Sequence, residues 1–265
     1  MEMSKRSVFA LLLLCHLIGD YYLQDETMAQ GKVAGDRKRR MKCYAQHCVC
    51  YAIPFALAAG SEFLVTGFNT SRAFGLCVVS HAVIDLIKIC CMNERKFAAD
   101  RDKRHEKERH GYLSDQAAHL LCLVAVAYLC PMPFPEVLGK WVELIPYLLY
   151  LASLLKPANV TFKVLFSGFQ IKNQNEGESA AKSKSEEGTK SGAGAWIGNL
   201  ERLLSGVLIL LGQFSAVGLT MTAKSIARYD EIVKKPAFAE YYLIGTLYSI
   251  LYTLVAYCVI FKFLV

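Results

Sequence analysis

No two of the ten cysteines in this 265-residue chain form a C-x-x-C pair, so neither a zinc ribbon nor a dithiol redox motif is written here. Cys15, Cys77, Cys90, Cys91, Cys122 and Cys258 sit in apolar runs, where a free thiol behaves as a small hydrophobe. Packing is expected of them, not a disulfide framework. Cys48 and Cys50, close to His47 in CYAQHCVCY, are minor candidates as metal ligands. No small-residue cleavage site follows the leucine run after Lys5 and Arg6, so that run is expected to be a retained span.

What is abundant is apolar sequence. Hydrophobic residues make up 54% of the chain and the mean hydropathy is +0.29, too apolar for an average soluble domain. Runs from Ser7, Cys43 to Thr66, from Ala73, Asp115 to Cys130, Trp141 to Leu155, Leu200 to Thr222 and Glu240 to Val265 approach the length of a membrane span. The expected fold is an all-α polytopic transmembrane bundle of about seven spans, the short fifth being tilted or re-entrant. Residues 1–156 form an expected N-terminal bundle, 157–195 a mobile polar linker and 196–265 a C-terminal helical pair. The linker contains NQNEGESAAKSKSEEGTKSGAGA, which has too little apolar surface to order itself. Pro131, Pro133 and Pro135 mark a non-helical turn, and the charged segment from Asn93 to His110 suits a solvated helix.

The net charge of +7 is concentrated in two places. Lys32, Arg37, Lys38, Arg39, Arg40 and Lys42 follow the first span, and Arg95, Lys96, Arg101, Lys103, Arg104, Lys107 and Arg109 follow the third. Short basic loops of this kind indicate cytoplasmic segments that touch anionic lipid headgroups. No nucleic-acid partner is expected.

Three polar words interrupt the apolar runs: His16-x-x-x-Asp20, His81-x-x-x-Asp85 and Asp115-x-x-x-His119. Residues four apart share a helix face, and each ionisable group costs about 2.5–3.5 kcal/mol at the bilayer centre, which marks a functional site. With both basic loops in the cytoplasm, His16, Asp20 and Gln24 end the first span, and His47 begins the second. His81, Asp85 and Lys88 end the third, and Asp115, Gln116 and His119 begin the fourth. All fall near the cytoplasmic headgroup boundary, so they are expected to meet.

Imidazole and carboxylate together suit zinc, iron or manganese. The candidate ligands are His16, Asp20, His47, His81, Asp85, Asp115 and His119, more than one zinc needs, so some would orient others or a second metal would bind. A metal with an open position activates water, with Asp85 or Asp20 as general base and Lys88 stabilising developing negative charge. A proton relay or ion pathway uses the same residue types. Plain interhelical hydrogen bonding, worth about 0.6 kcal/mol per pair, explains one pair more easily than three at matched depth. The outer halves of the first four spans offer little for a continuous polar path.

Further along, Glu201 and Arg202 are expected to form an ion pair or cap a span. Lys224, Ser225 and Arg228 in AKSIAR lie within about one helical turn and offer an anion site, although interfacial snorkelling accounts for the cations too. Glu240 and Tyr241 are expected to pair with those cations, and Gly245 and Thr246 to permit close helix packing.

Together these words resemble a bacterial polytopic membrane-protein family, a domain of unknown function. Its H-L-x-G-D-x-x-x-Q, S-H-x-x-I-D-x-x-K and D-Q-x-x-H words match His16 to Gln24, Ser80 to Lys88 and Asp115 to His119. TAKSIAR resembles the C-terminal region of its longer members. The resemblance implies a multi-pass protein of the bacterial inner (cytoplasmic) membrane and carries no activity with it. From the residues, the leading expectation is a hydrolase that uses a divalent metal on a lipid-linked or amphipathic substrate. The alternatives are a proton- or metal-coupled transporter or channel, and a non-catalytic membrane sensor or scaffold.

Overall fold

The computed structural model describes residues 5–32, 36–66, 71–92, 101–130, 139–167 and 193–264, all-helical with no strand among them. The proline turn, residues 93–100 and most of the expected linker lie outside the described residues. The chain divides into two compact units, one of Met1–Pro157 with Ala256–Val265, the other of Ala158–Val255.

In the first unit, α1 (Lys5–Leu17) runs into a π-helical turn, Ile18–Tyr22. Then come α2 (Glu26–Gly31), α3 (Arg37–Thr66), α4 (Ser71–Met92), α5 (Arg101–Leu129) and α6 (Gly139–Leu154). α1 packs against α3, α5 and α6, and α4 packs against α3 and α5. A final π-helical segment, Val259–Leu264, packs on α1 and α6. Arg101 to His110 opens α5, so the described part of the charged segment is helical, as expected.

Each helix turns one stripe inward at helical spacing. The stripes are Val8, Leu12, Cys15 and His16; His47, Tyr51 and Phe55; Phe74, Cys77, His81 and Asp85; and Asp115, His119, Leu123 and Val126, all buried. The outward residues are apolar as well, among them Leu57, Val79, Val83, Ile87, Leu121 and Leu129. Polar groups inside and apolar groups outside invert the pattern of a water-soluble bundle and suit a lipid surround.

Among the described residues, four helices are long and apolar enough to cross a membrane: Ser71–Cys90, His105–Leu129, Val142–Leu165 and Pro236–Leu264. Two expected spans look different in the structure. The run from Trp141 to Leu155 belongs to a longer apolar stretch than expected. It is extended by α7 (Lys156–Leu165), so helix continues through residue 165 of the segment expected as linker. The run from Leu200 to Thr222 is broken into α8 (Ala193–Leu210) and α9 (Phe214–Ala227). The chain turns between them at Gly212, whose φ of +71° is one that glycine adopts without steric cost. α8 and α9 pack on each other in the second unit, which also contains α10 (Tyr229–Lys234) and most of α11 (Pro236–Cys258).

Candidate metal centre

The three polar words and His47 converge in the first unit. His47 Nε2 on α3 is the hub, 2.9 Å from His81 Nε2, 3.4 Å from Asp20 Oδ1 and 3.4 Å from Asp85 Oδ2. His81 Nε2 is 3.9 Å from the same Asp85 oxygen. Ligands held at about 2.0–2.2 Å around a tetrahedral ion stand about 3.3–3.6 Å apart, so these separations approach the edges of a metal's coordination shell. Two groups have ligand atoms within 4.8 Å of one another: Asp20, His47 and His81; and His81, Asp85 and His119. Both are groups that could hold a metal ion, and His81 belongs to both. Neither contains a cysteine, so Cys48 and Cys50 are not brought into either group.

His119 and His16 complete an imidazole layer. The His119 ring centroid is 4.4 Å from that of His81 and 5.3 Å from that of His16. Both nitrogens of His119 are buried without a hydrogen-bond partner, as are His47 Nδ1 and His81 Nδ1. Buried polar atoms of this kind cost about 1–3 kcal/mol each unless something binds them; at His119, a member of the second group, a free lone pair is what a metal would take.

Tyr51, one turn beyond His47, supports two of the rings. It stacks flat on His81 and shares a 3.0 Å hydrogen bond with His16 Nδ1. A bond on one ring nitrogen fixes which nitrogen remains available. Gly19, in the π-helical turn, lets α1 come this close. A Cβ there would stand 2.9 Å from Tyr51 Cδ2 and 3.1 Å from both the Tyr51 Cα and its carbonyl oxygen.

Lysines hold the carboxylates nearer the polar end. Lys32 Nζ donates to Asp85 Oδ2 at 2.6 Å and to Gln24 Oε1 at 3.0 Å. Lys88 Nζ donates to Asp115 Oδ2 at 2.6 Å. Gln116 Nε2 reaches both Asp20 Oδ2 and Asp115 Oδ2 at 3.4 Å, while its Oε1 accepts from Tyr21. Asp25 brings Lys32 into position by capping α2. Its Oδ1 accepts from Met28 N at 2.7 Å, and that N–H holds the carboxyl below the usual carboxylate range.

The site is therefore layered along the bundle. Lysine–aspartate pairs lie at one end, imidazoles come next, and Leu12, Phe55, Cys77, Leu123 and Val126 form an apolar floor beyond them. Neither Asp85 nor Lys88 stands alone: the first is paired with Lys32 and the second with Asp115. Sequence reasoning missed Tyr51 and Lys32 as parts of the site. The signals were His47-x-x-x-Tyr51, an i,i+4 pair like the others, and a lysine at the end of a capped helical turn.

In the second unit the candidate anion residues have internal partners. Lys224 Nζ donates to Glu201 Oε2 at 2.7 Å and to Thr246 Oγ1 at 3.2 Å. Arg228 pairs with Glu231 at 2.8 Å, and the Ser225 hydroxyl donates back to the Met221 carbonyl at 3.0 Å. Glu201 and Arg202 do not pair with each other as expected: neighbours on one helix at i,i+1 do not face each other. Arg202 donates instead to Asn159 and Asn199.

No curated protein and no solved structure matches the chain. One family model does, that described as "Protein of unknown function (DUF3307)", over residues 8–140, a stretch that contains every member of the polar site. The chain belongs to the DUF3307 family.

Proposed function

We propose that this chain is a metal-dependent hydrolase of the bacterial inner membrane, multi-pass, acting at the cytoplasmic leaflet on a lipid-linked or amphipathic substrate. One observation carries the reading: His47 Nε2 has three further ligand atoms at 2.9–3.4 Å, between lysine–aspartate pairs on one side and an apolar floor on the other. Asp20, His47 and His81 would hold the ion, and His81, Asp85 and His119 form a second group that could. A divalent ion bound there, zinc, iron or manganese, supplies Lewis acidity and a water of lowered pKa.

The chain's own groups do the rest. Asp85, steadied by Lys32, accepts a proton from the attacking water. Asp20, which meets His47 and Gln116, is the alternative base. Lys88 meets developing negative charge on the substrate, because its side chain, at 35% exposed, is far more open than that of Asp85 or Asp115. Tyr51 keeps the rings of His16 and His81 in register.

A proton- or metal-coupled transporter is the second reading, favoured by the run of four imidazoles in near contact. The apolar floor weighs against it, since a transported ion would have no polar partner below His81 and His119.

Elemental analysis of detergent-purified protein, paired with hydrolysis of phosphoester and carboxyester amphiphiles in mixed micelles, tests the proposal. About one zinc, iron or manganese per chain, with turnover lost alongside the metal in His81→Ala/Asp85→Ala, is the expected result. Metal-free active protein, or metal-dependent ion flux in liposomes without hydrolysis, would overturn it.

A further inference from the structure

The second unit contains a cavity of about 470 Å³ within itself, walled by α7, α8, α9 and α11. That volume lies in the range of small-molecule sites. Its lining is divided by chemistry. Lys163, Arg202, Lys224 and Arg228 bring four cationic side chains to it, against the carboxylates of Glu201, paired with Lys224, and of Glu231 just outside, paired with Arg228, which leaves an excess of positive charge. Most of the remaining wall is apolar and aromatic, with Phe162 and Tyr248 in ring contact, 5.1 Å between centroids.

The cations are held in place. Arg202 is 4% exposed and is fixed by the amide oxygens of Asn159 and Asn199, with Ser249 Oγ at 3.5 Å from Nη1. Lys224 lies 4.8 Å over the Tyr242 ring, and Arg228 lies 6.0 Å over the Phe238 ring. Fixed guanidinium and ammonium donors that need not reorganise are what a phosphate oxygen prefers.

Position along the helices decides between a soluble anion and a lipid. Phe238, Tyr241 and Tyr242 stand in the first two turns of the apolar stretch Pro236–Leu264. Lys224 and Arg228 stand at the end of α9, just before the polar helix α10. Tyrosines and basic side chains at the end of an apolar span mark headgroup depth. An aromatic-walled space that begins there accepts an acyl chain while its cations hold the phosphate.

We propose that this cavity binds a phosphate-bearing anionic lipid, headgroup on Lys224, Arg228 and Arg202, apolar tail against Phe162 and Tyr248. The site is separate from the His/Asp centre and does not depend on that centre's being catalytic.

Native mass spectrometry of the full chain in detergent tests it, with dioleoylphosphatidylglycerol, dioleoylphosphatidylcholine and inorganic phosphate as probes. The wild type is expected to retain one phosphatidylglycerol about tenfold or more tightly than phosphatidylcholine, with inorganic phosphate failing to displace it. Lys224→Gln/Arg228→Gln is expected to lose that preference. Gly245→Leu alters no charge but fills the space, since a Cβ at Gly245 meets Phe162 Cζ at 3.7 Å, an ordinary contact. It is expected to lose the lipid as well.

Equal retention of the two lipids overturns the proposal, as does wild-type binding by either variant in folded form. Displacement by inorganic phosphate replaces the lipid with a soluble anion and overturns it too. If neither variant folds, the three wild-type probes alone decide.

Discussion

The phenol ring of Tyr51 lies flat on the imidazole of His81, with centroids 3.5 Å apart and planes 3° from parallel. Its hydroxyl reaches across to His16. One side chain from α3 thus sets the orientation of two imidazoles from two other helices, and the first prediction concerns it. Tyr51→Phe keeps the stacking and leaves His16 Nδ1 unpaired in a buried place. We expect a loss of about 1–3 kcal/mol in stability with metal retention little changed, since His16 belongs to neither group that could hold an ion. Tyr51→Ala removes the ring from His81 as well and is expected to cost about 3–5 kcal/mol and about 10–100-fold in metal retention. Thermal unfolding in detergent, with and without added zinc, measures both. Wild-type metal retention by Tyr51→Ala would remove this residue from the site.

Gly19→Ala tests how close α1 must come to α3. The new methyl group would meet Tyr51 at 2.9 Å and its backbone at 3.1 Å, and backbone cannot give way as a flexible side chain can. The expected cost is about 1–3 kcal/mol, with reduced metal binding. Gly75→Ala, where nothing stands within 4 Å, is the control and is expected to change stability by no more than about 1 kcal/mol. Equal behaviour of the two variants would mean that the π-helical turn has room to move.

Lys32→Met leaves the buried Asp85 carboxylate without its ammonium partner. Breaking a buried pair costs about 3–5 kcal/mol, and about 3 is expected here because Lys32 keeps some solvent access. Lys32→Met/Asp85→Asn removes both charges and is expected to recover most of the loss. A double-mutant cycle on unfolding midpoints gives the coupling. Additive effects would show that the 2.6 Å contact contributes nothing.

The cap of α2 sets a pH dependence. The carboxyl of Asp25 is held below its ordinary value by the Met28 N–H, so its contribution is fully present above the unfolded value of about 3.9. It is lost as pH falls through the lower folded value. Hydrogen exchange at the Met28 amide, taken relative to the intrinsic rate at each pH, is expected to be unaffected by this group from pH 7 to pH 5 and to accelerate only below about pH 4. Asp25→Asn keeps an acceptor at the cap and is expected to lose the acid-side acceleration. Acceleration already at pH 6 would assign α2 to a different titrating group.

Much of the fold and of the polar site was legible in sequence, for a physical reason. Helical spacing places His81 with Asp85 and Asp115 with His119 on shared faces, and the high cost of charge among apolar runs makes such pairs conspicuous. The positive loops then put four helix ends at one level, and the structure brings those ends together. What was hidden had no such contrast. Tyr51 reads as one more aromatic in an apolar run, because only the third dimension lays it on His81. Lys32 reads as one of six basic residues in its loop, and nothing local ties it to Asp85, 53 residues on. The break at Gly212 was obscured by uninterrupted hydropathy, since a single positive φ ends a helix without altering composition. The added turns of α7 were obscured in the opposite way: Lys156, Pro157 and Asn159 look like a boundary, yet Pro157 occupies the first turn of a helix, where it is tolerated.

Zinc X-ray absorption on the purified, zinc-loaded chain tests the centre itself most directly. Asp20, His47 and His81 around one ion give a shell of nitrogen and oxygen at about 2.0–2.2 Å with the multiple-scattering pattern of two imidazoles, and His47→Ala/His81→Ala abolishes it. Sulfur at about 2.3 Å, or an unchanged spectrum in the double variant, would contradict it and place any metal elsewhere in the chain.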